Sequence, residues 1–219
     1  MNYQHILNAL PLDLPVGKVV CVGRNYAEHA RELNNPVPDE PLLFIKPSTA
    51  IQTMQTPIKL APQRGGLHYE AEVAVLINQT LTHASEAEAL AAISGVGLAL
   101  DLTLRDLQSK LKEKGLPWEK AKAFDGSCCL SPFVPADMVD LTQLSLKLWI
   151  NGELRQDGHT DQMLRSVAAL VSHISEWFTL QPGDVVLTGT PVGVGELYAG
   201  DQLKLQLSDL IEASAEVVV

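Results

Sequence analysis

Leu67-His68-Tyr69-Glu70-Ala71-Glu72-Val73-Ala74-Val75-Leu76-Ile77 is the stretch on which the reading of this chain turns. Its β-branched and apolar residues run on to Asn78 before polar residues resume, which predicts a buried strand. Side chains two apart on a strand share a face, so Glu70 and Glu72 project together at its mouth. Two like charges side by side repel and are costly to desolvate, so a dry site would need a proton or a cation between them. Hard divalent ions such as Mg²⁺, Mn²⁺ and Ca²⁺ favour oxygen ligands, and an all-carboxylate set does not choose between Mg²⁺ and Mn²⁺.

Working outward toward the N-terminus, residues 18–23 predict a short strand, followed by a helix over 27–33. His29 and Glu32 stand three apart on one face of that helix. The polar, proline-broken run 34–41 predicts a surface loop able to cover a site, and 42–45 resumes as a strand closing on Lys46. Toward the C-terminus, Ser85 and Glu88 form a capping-box pattern opening a helix to about residue 93. Residues 95–100 predict a second apolar strand that delivers Asp101 at its end. A helix is expected over 103–114, with Leu104, Leu107 and Leu111 as its buried stripe, Arg105 and Gln108 on another face, and Gly115 as its stop. Residues 118–125 read as a loop or short strand. Beyond residue 144 the pattern turns largely to strands: a hairpin around Asn151-Gly152, one helix over 162–177, and strands at 185–187, 202–207 and 211–219. The expected fold is α+β but mostly β, a mixed β-sandwich or β-roll with a few peripheral helices. Residues 1–15 read as an N-terminal extension and 16–219 as a single domain.

With 219 residues, 46% hydrophobic and 19% charged, the chain can bury one substantial core. Its formal net charge of −10 argues against nucleic acid or an anionic membrane as partner. Three cysteines make no disulfide framework, and the adjacent Cys128 and Cys129 lack metal-ligand spacing, so they read as buried thiols. Neither a signal peptide nor an apolar run of membrane-spanning length is visible, and a cytoplasmic setting is expected.

Asp101 gives the two glutamates a third carboxylate, and three oxygen ligands on an ion that prefers six leave positions for water and a chelating substrate. Arg24, Lys46, Arg105 and Lys122 fall at the ends of the predicted strands or on the helix after Asp101. In so acidic a protein their gathering points to an anionic substrate. The glycine-rich run 188–195 lacks the lysine ending of a phosphate loop and any Gly-x-Gly-x-x-Gly. Its glycines suit close backbone approach to a small ligand, with Thr190 offering a hydroxyl. No Gly-x-Ser-x-Gly elbow supports serine hydrolysis.

The motifs Val22-Gly23-Arg24-Asn25-Tyr26 with His29, Phe44-Ile45-Lys46-Pro47-Ser48, His68-Tyr69-Glu70-Ala71-Glu72, and Asp101-Leu102-Thr103-Leu104-Arg105-Asp106 occur in a fixed order. With Gly115-Leu116-Pro117-Trp118, Ala121-Lys122, Asn151-Gly152-Glu153 and the 188–195 run, they closely resemble the fumarylacetoacetate hydrolase family, in particular its small acylpyruvase-like members. The resemblance implies that family's β-roll, a homodimer, and a divalent metal, Mg²⁺ or Mn²⁺, held by Glu70, Glu72 and Asp101. It also implies that His29 and Glu32 form a water-activating pair on a helix that becomes ordered over the ligand.

On that basis a small anionic keto acid is the expected substrate, and the leading expectation is hydrolysis of an acylpyruvate such as fumarylpyruvate. Glu32 would orient His29, and His29 would draw a proton from water that attacks the distal carbonyl. Lys122, with Lys46 and Gln108, would stabilise the pyruvate enolate, and Arg24 and Arg105 would hold a substrate carboxylate. Oxaloacetate decarboxylation, or isomerisation and decarboxylation in aromatic catabolism, would use the same enolate. A non-catalytic ligand-binding protein is the alternative of another class.

Overall fold

The structure is a computed structural model and describes residues 3–33 and 36–219. Its centre is a mixed sheet with strand order Leu42–Lys46, Val19–Gly23, Val185–Leu187, Ala71–Ile77, Ile93–Asp101, Cys128–Leu130 and Ile51–Thr53. Val134–Pro135 adds a short pairing to the start of Ile93–Asp101. A second sheet runs in the order Glu153–His159, Ser145–Ile150, Gln202–Leu207, Ile211–Val218 and Ile58–Lys59. With helices confined to short peripheral pieces, this is the expected mostly-β roll.

Ala71–Ile77 is buried along its whole length, Glu72 included, as a strand with both faces covered must be. Alternation then sorts its side chains. Ala71 and Val73 join a core shared with Leu146, Leu148, Leu203 and Leu205 of the second sheet. Val75 and Ile77 pack against the helices Glu86–Ala91 and Val167–Trp177 through Ala89, Leu170 and Ile174. Ala74 and Leu76 face the other way, into a cluster with Cys21, Cys128 and Phe133 on which Tyr3, Leu7 and Leu12 rest. All three cysteines are buried, and burial pushes the Cys129 thiol up to about 12.

Several local expectations are met: both reciprocal hydrogen bonds of the Ser85–Glu88 capping box form, and Asn151 and Gly152 take φ of 53° and 83°, as a type I′ hairpin requires. Others need correction. The 67–77 stretch is two strands rather than one, because the chain changes sheets at Glu70. Leu67–Tyr69 pairs with Thr103–Leu104 and Gly195–Glu196 in a small third sheet. Those pairings claim Thr103 and Leu104, so the following helix is shorter than expected, Arg105–Glu113. Residues 119–122 are one helical turn, Glu119–Lys122, closed by the Ala123 amide on the Glu119 carbonyl; Glu, Lys and Ala are good helix formers. The last helix starts at Val167, where the Ser166 hydroxyl caps the Ala169 amide. The expected loop 34–41 begins at 34 and 35, which lie outside the described residues. At the N-terminus, the His5 ring donates from Nε2 to the Gly183 carbonyl at 3.0 Å and leaves Nδ1 to accept from the Tyr3 hydroxyl at 3.3 Å.

Candidate active site

Strand register assembles the carboxylates. Ala71 pairs with Leu100 and Glu72 with Ala99, so the next position across the ladder sets Glu70 opposite Asp101, whose amide donates to the Glu70 carbonyl at 2.8 Å. Opposed residues of an antiparallel pair share a face. Ala99, opposite Glu72, is too small to fill the space between the acids. Among the described residues, Glu70, Glu72 and Asp101 form a group whose ligand oxygens lie within 4.8 Å of one another, all three buried.

The glycine-rich run finishes this wall. Beyond Val185–Leu187 it follows the Ala71–Ile77 strand: the Thr188 amide and hydroxyl both donate to the Val73 carbonyl, and the Gly189 amide donates to Glu72 Oε2 at 2.6 Å. The Thr190 hydroxyl donates to the Ala71 carbonyl and accepts from Gln156 Nε2, both at 2.8 Å. Gly189 has φ 100°, and a Cβ there would lie 2.8 Å from the Asn25 Cβ, so glycine permits the approach.

Cations surround the acids. Lys122, from its single helical turn, reaches Glu70 Oε2 at 2.8 Å and Asp101 Oδ2 at 2.7 Å. Arg105 pairs with Glu70 Oε1 and donates to Gln108 Oε1 at 2.8 Å. Burial raises the Glu70 carboxyl, but Lys122 and Arg105 outweigh it and hold the group well below the usual carboxylate range. Burial lowers Lys122, and Asp101 and Glu70 more than reverse that, so it stays a cation. Glu72 lacks such a partner: burial and then the charges of Asp101 and Glu70 drive it well upward.

His29, on the helix Ala27–Glu32, lines the same cavity. Its Nδ1 lies 3.2 Å from Glu32 Oε2, while Glu32 Oε1 accepts the Gly193 amide at 3.0 Å. A proton on Nδ1 facing Glu32 leaves the Nε2 lone pair as the base. Arg24, Arg105, Gln108, Lys122 and Thr190 also line this cavity, with Val22, Leu42, Phe44 and Trp118 as apolar walls.

Lys46 stands elsewhere, and the expectation of a substrate ligand there is corrected. It is 0% exposed and does not line the cavity. Its ammonium lies behind the site, 2.8 Å from Asp101 Oδ1, and donates to the Ser127 carbonyl at 3.0 Å, the Ser127 hydroxyl at 3.1 Å and the Lys122 carbonyl. Sequence reasoning also missed Lys112, which lines the cavity seven residues after Arg105. The i, i+3, i+7 spacing of Arg105, Gln108 and Lys112 was the available signal.

The donor set fits a hard divalent cation. Three buried carboxylates converge, and Asp101 Oδ1, although within ion-pair range of Lys46, has no aligned hydrogen-bond donor.

Residues 18–218 match the fumarylacetoacetate (FAA) hydrolase C-terminal family, and the chain belongs to it as an enzyme. It is 51% identical over 205 residues to the oxaloacetate tautomerase YcgM of Escherichia coli, covering 93% of this chain and 94% of that one. It is 42% identical over 200 residues to the mitochondrial oxaloacetate tautomerase FAHD1 of Homo sapiens, covering 91% and 90%. The fumarylpyruvate hydrolase of Pseudomonas aeruginosa, solved with Mn²⁺ and pyruvate, superimposes with a TM-score of 0.94 at 37% identity, covering 100% of this chain and 96% of that one.

Proposed function

We propose that this enzyme interconverts the enol and keto forms of oxaloacetate or a closely similar 2-oxo acid, using a divalent ion held by Glu70, Glu72 and Asp101. The observation that carries the reading is the placement of a single oriented base, His29, in the same cavity as three convergent carboxylates and a buried ammonium. The two relatives named for oxaloacetate tautomerisation, one bacterial and one mammalian, support it.

A divalent ion bound there would polarise the 2-oxo group and offset negative charge growing on its oxygen. His29 Nε2 shuttles one proton, taking it from the carbon beside the oxo group and returning it to the oxygen as the keto form becomes the enol, and the reverse on the way back. Glu32 keeps the imidazole in the required tautomer. Lys122, charged through its contacts with Glu70 and Asp101, donates toward the enolate oxygen. Arg105, with Gln108, holds the substrate carboxylate, and Phe44 and Trp118 exclude bulk water.

Hydrolysis of an acylpyruvate is the second reading, and the fumarylpyruvate hydrolase likeness favours it. There the same Nε2 would take its proton from water. Decarboxylation of oxaloacetate needs the enolate without that water. A cytoplasmic homodimer taking small anions belongs to the same proposal, and sedimentation measures its oligomeric part.

The test follows enol-oxaloacetate absorbance with Mg²⁺ or Mn²⁺, alongside pyruvate release from oxaloacetate and fumarylpyruvate. Enol loss should be accelerated well beyond pyruvate release from either acid. Pyruvate release from fumarylpyruvate at the higher kcat/KM would install the hydrolase reading. Enol decay no faster than in buffer with metal would remove the tautomerase.

A further inference from the structure

Arg105, Gln108 and Lys112 present one face of the Arg105–Glu113 helix to the cavity, in order from its floor to its rim. Gln108 is buried, whereas Lys112 is exposed at the edge, its ammonium 5.8 Å from the centroid of the Trp118 ring, another wall of the same cavity. Arg24 lines the cavity from the end of the Val19–Gly23 strand. Its backbone is held at φ 61°, a conformation that a non-glycine residue keeps only where its surroundings over-determine it.

The lining thus carries Arg24, Arg105, Lys112 and Lys122 against Glu70, Glu72 and Asp101. Lys122 and Arg105 are engaged with these acids on the floor. Arg24 and Lys112 stand close enough for their charges to be felt: burial, then Arg24 and Arg105, push the Lys112 ammonium down. A divalent ion on the acids would raise the positive excess further. Arg24 Nη1 donates to the Pro36 carbonyl at 3.4 Å, a neutral partner, so the positive field of this rim still attracts an entering anion.

We propose that Lys112, together with Arg24, forms a subsite for the distal carboxylate of a dicarboxylic 2-oxo acid, and thereby selects doubly anionic substrates over those ending in an apolar group. This rests on the enolate chemistry proposed above, and it extends that chemistry by assigning the substrate's second charge. The oxo-acid end lies on the floor with Lys122, Arg105 and the carboxylates. The chain then runs outward past Phe44 and Trp118, and the second carboxylate meets the ammonium and guanidinium at the rim. Lys112 is a binding residue, not a participant in proton transfer.

The experiment compares wild type, Lys112→Met and Lys112→Arg on oxaloacetate, fumarylpyruvate and acetylpyruvate, the last lacking a distal carboxylate. Met keeps the length of the aliphatic stem and removes the charge that stands over Trp118, and the exposed position keeps the fold intact, which thermal melting verifies. With Met, kcat/KM for the two dicarboxylates should fall about 10- to 100-fold, carried by KM with kcat nearly unchanged. Acetylpyruvate should change by less than about twofold, and Arg should restore most of the loss on the dicarboxylates. Equal losses on dicarboxylic and monocarboxylic substrates, or no loss on any, would overturn the subsite while leaving the enolate chemistry standing. Wild type inactive on all three acids would remove that chemistry and the subsite with it.

Discussion

Replacing Lys46 by Met separates two roles that a lysine at this position could have. Met keeps the length of the aliphatic stem and removes the charge. The ammonium is fully buried, ion-pairs with Asp101 and donates to the Ser127 carbonyl and hydroxyl and the Lys122 carbonyl. Its loss leaves Asp101 with one counter-charge in place of two and takes one donor each from the Ser127 and Lys122 carbonyls, which keep the Leu102 amide and the Ser127 hydroxyl. Breaking a buried pair by removing one partner costs roughly 3–5 kcal/mol. Against a total stability of about 5–15 kcal/mol, that is a large fraction. In a domain of this size it should lower the melting temperature by about 6–20 °C. The assay is denaturant unfolding of the metal-free protein, followed by kcat and KM on the surviving folded fraction. Lys46 acting as a clamp on Asp101 and on the turn carrying Lys122 gives large destabilisation with reduced kcat. A loss below about 1 kcal/mol with only KM raised would refute the reasoning and return Lys46 to the substrate.

Replacing His29 by Ala should lower tautomerisation or acylpyruvate hydrolysis by about 10²–10⁴-fold, while oxaloacetate decarboxylation, which needs no water activated, falls much less; parallel assays on the one variant measure the difference. Gly193 has φ 103°, and a Cβ there would lie 1.9 Å from the Arg155 carbonyl oxygen. Gly193→Ala should therefore displace the amide that holds Glu32, costing about 1–3 kcal/mol of stability and shifting the pH profile of kcat as His29 loses its orientation. His5 gives a stability signature. Burial lowers it below the ordinary 6.5, against a smaller opposite effect of its Gly183 hydrogen bond. The unfolded chain therefore takes up the proton first, and the stability from the neutral ring is complete above pH 6.5 and is lost as pH falls below it. Thermal melts at pH 7.5 and 5.5 should show a smaller drop for His5→Gln than for wild type.

Much of this site was legible because it rests on period and order. A two-residue spacing on an apolar strand placed Glu70 beside Glu72, and a second apolar strand ending in Asp101 supplied the third acid. What pattern could not reveal was pairing between distant segments. Nothing local says that Thr103 and Leu104 are claimed by Leu67–Tyr69, so the helix start was expected two residues early. Lys46 closes an apolar strand just as a substrate-facing lysine would. Its inward turn depends on the carbonyls of Ser127 and Lys122, some eighty residues away in sequence. Lys112 was passed over because a lysine on a polar helix face is ordinary until the helix is known to stand over a cavity.

The Glu70–Asp101 pairing also sets where the gene can be lengthened or shortened. Partners along this ladder are set within the two strands, and the connection between them, residues 78–92 with the helix Glu86–Ala91, opens on an exposed turn at Asn78 to Thr80, outside the ladder itself. Added codons there would be absorbed as extra loop. One codon removed between residues 93 and 100 would move every later side chain by one place, turn the Asp101 carboxylate to the opposite face and set a leucine against Glu70. A library of single-residue insertions and deletions should thus be tolerant at the turn and intolerant along the strand, a reading frame written in hydrogen bonds rather than in nucleotides.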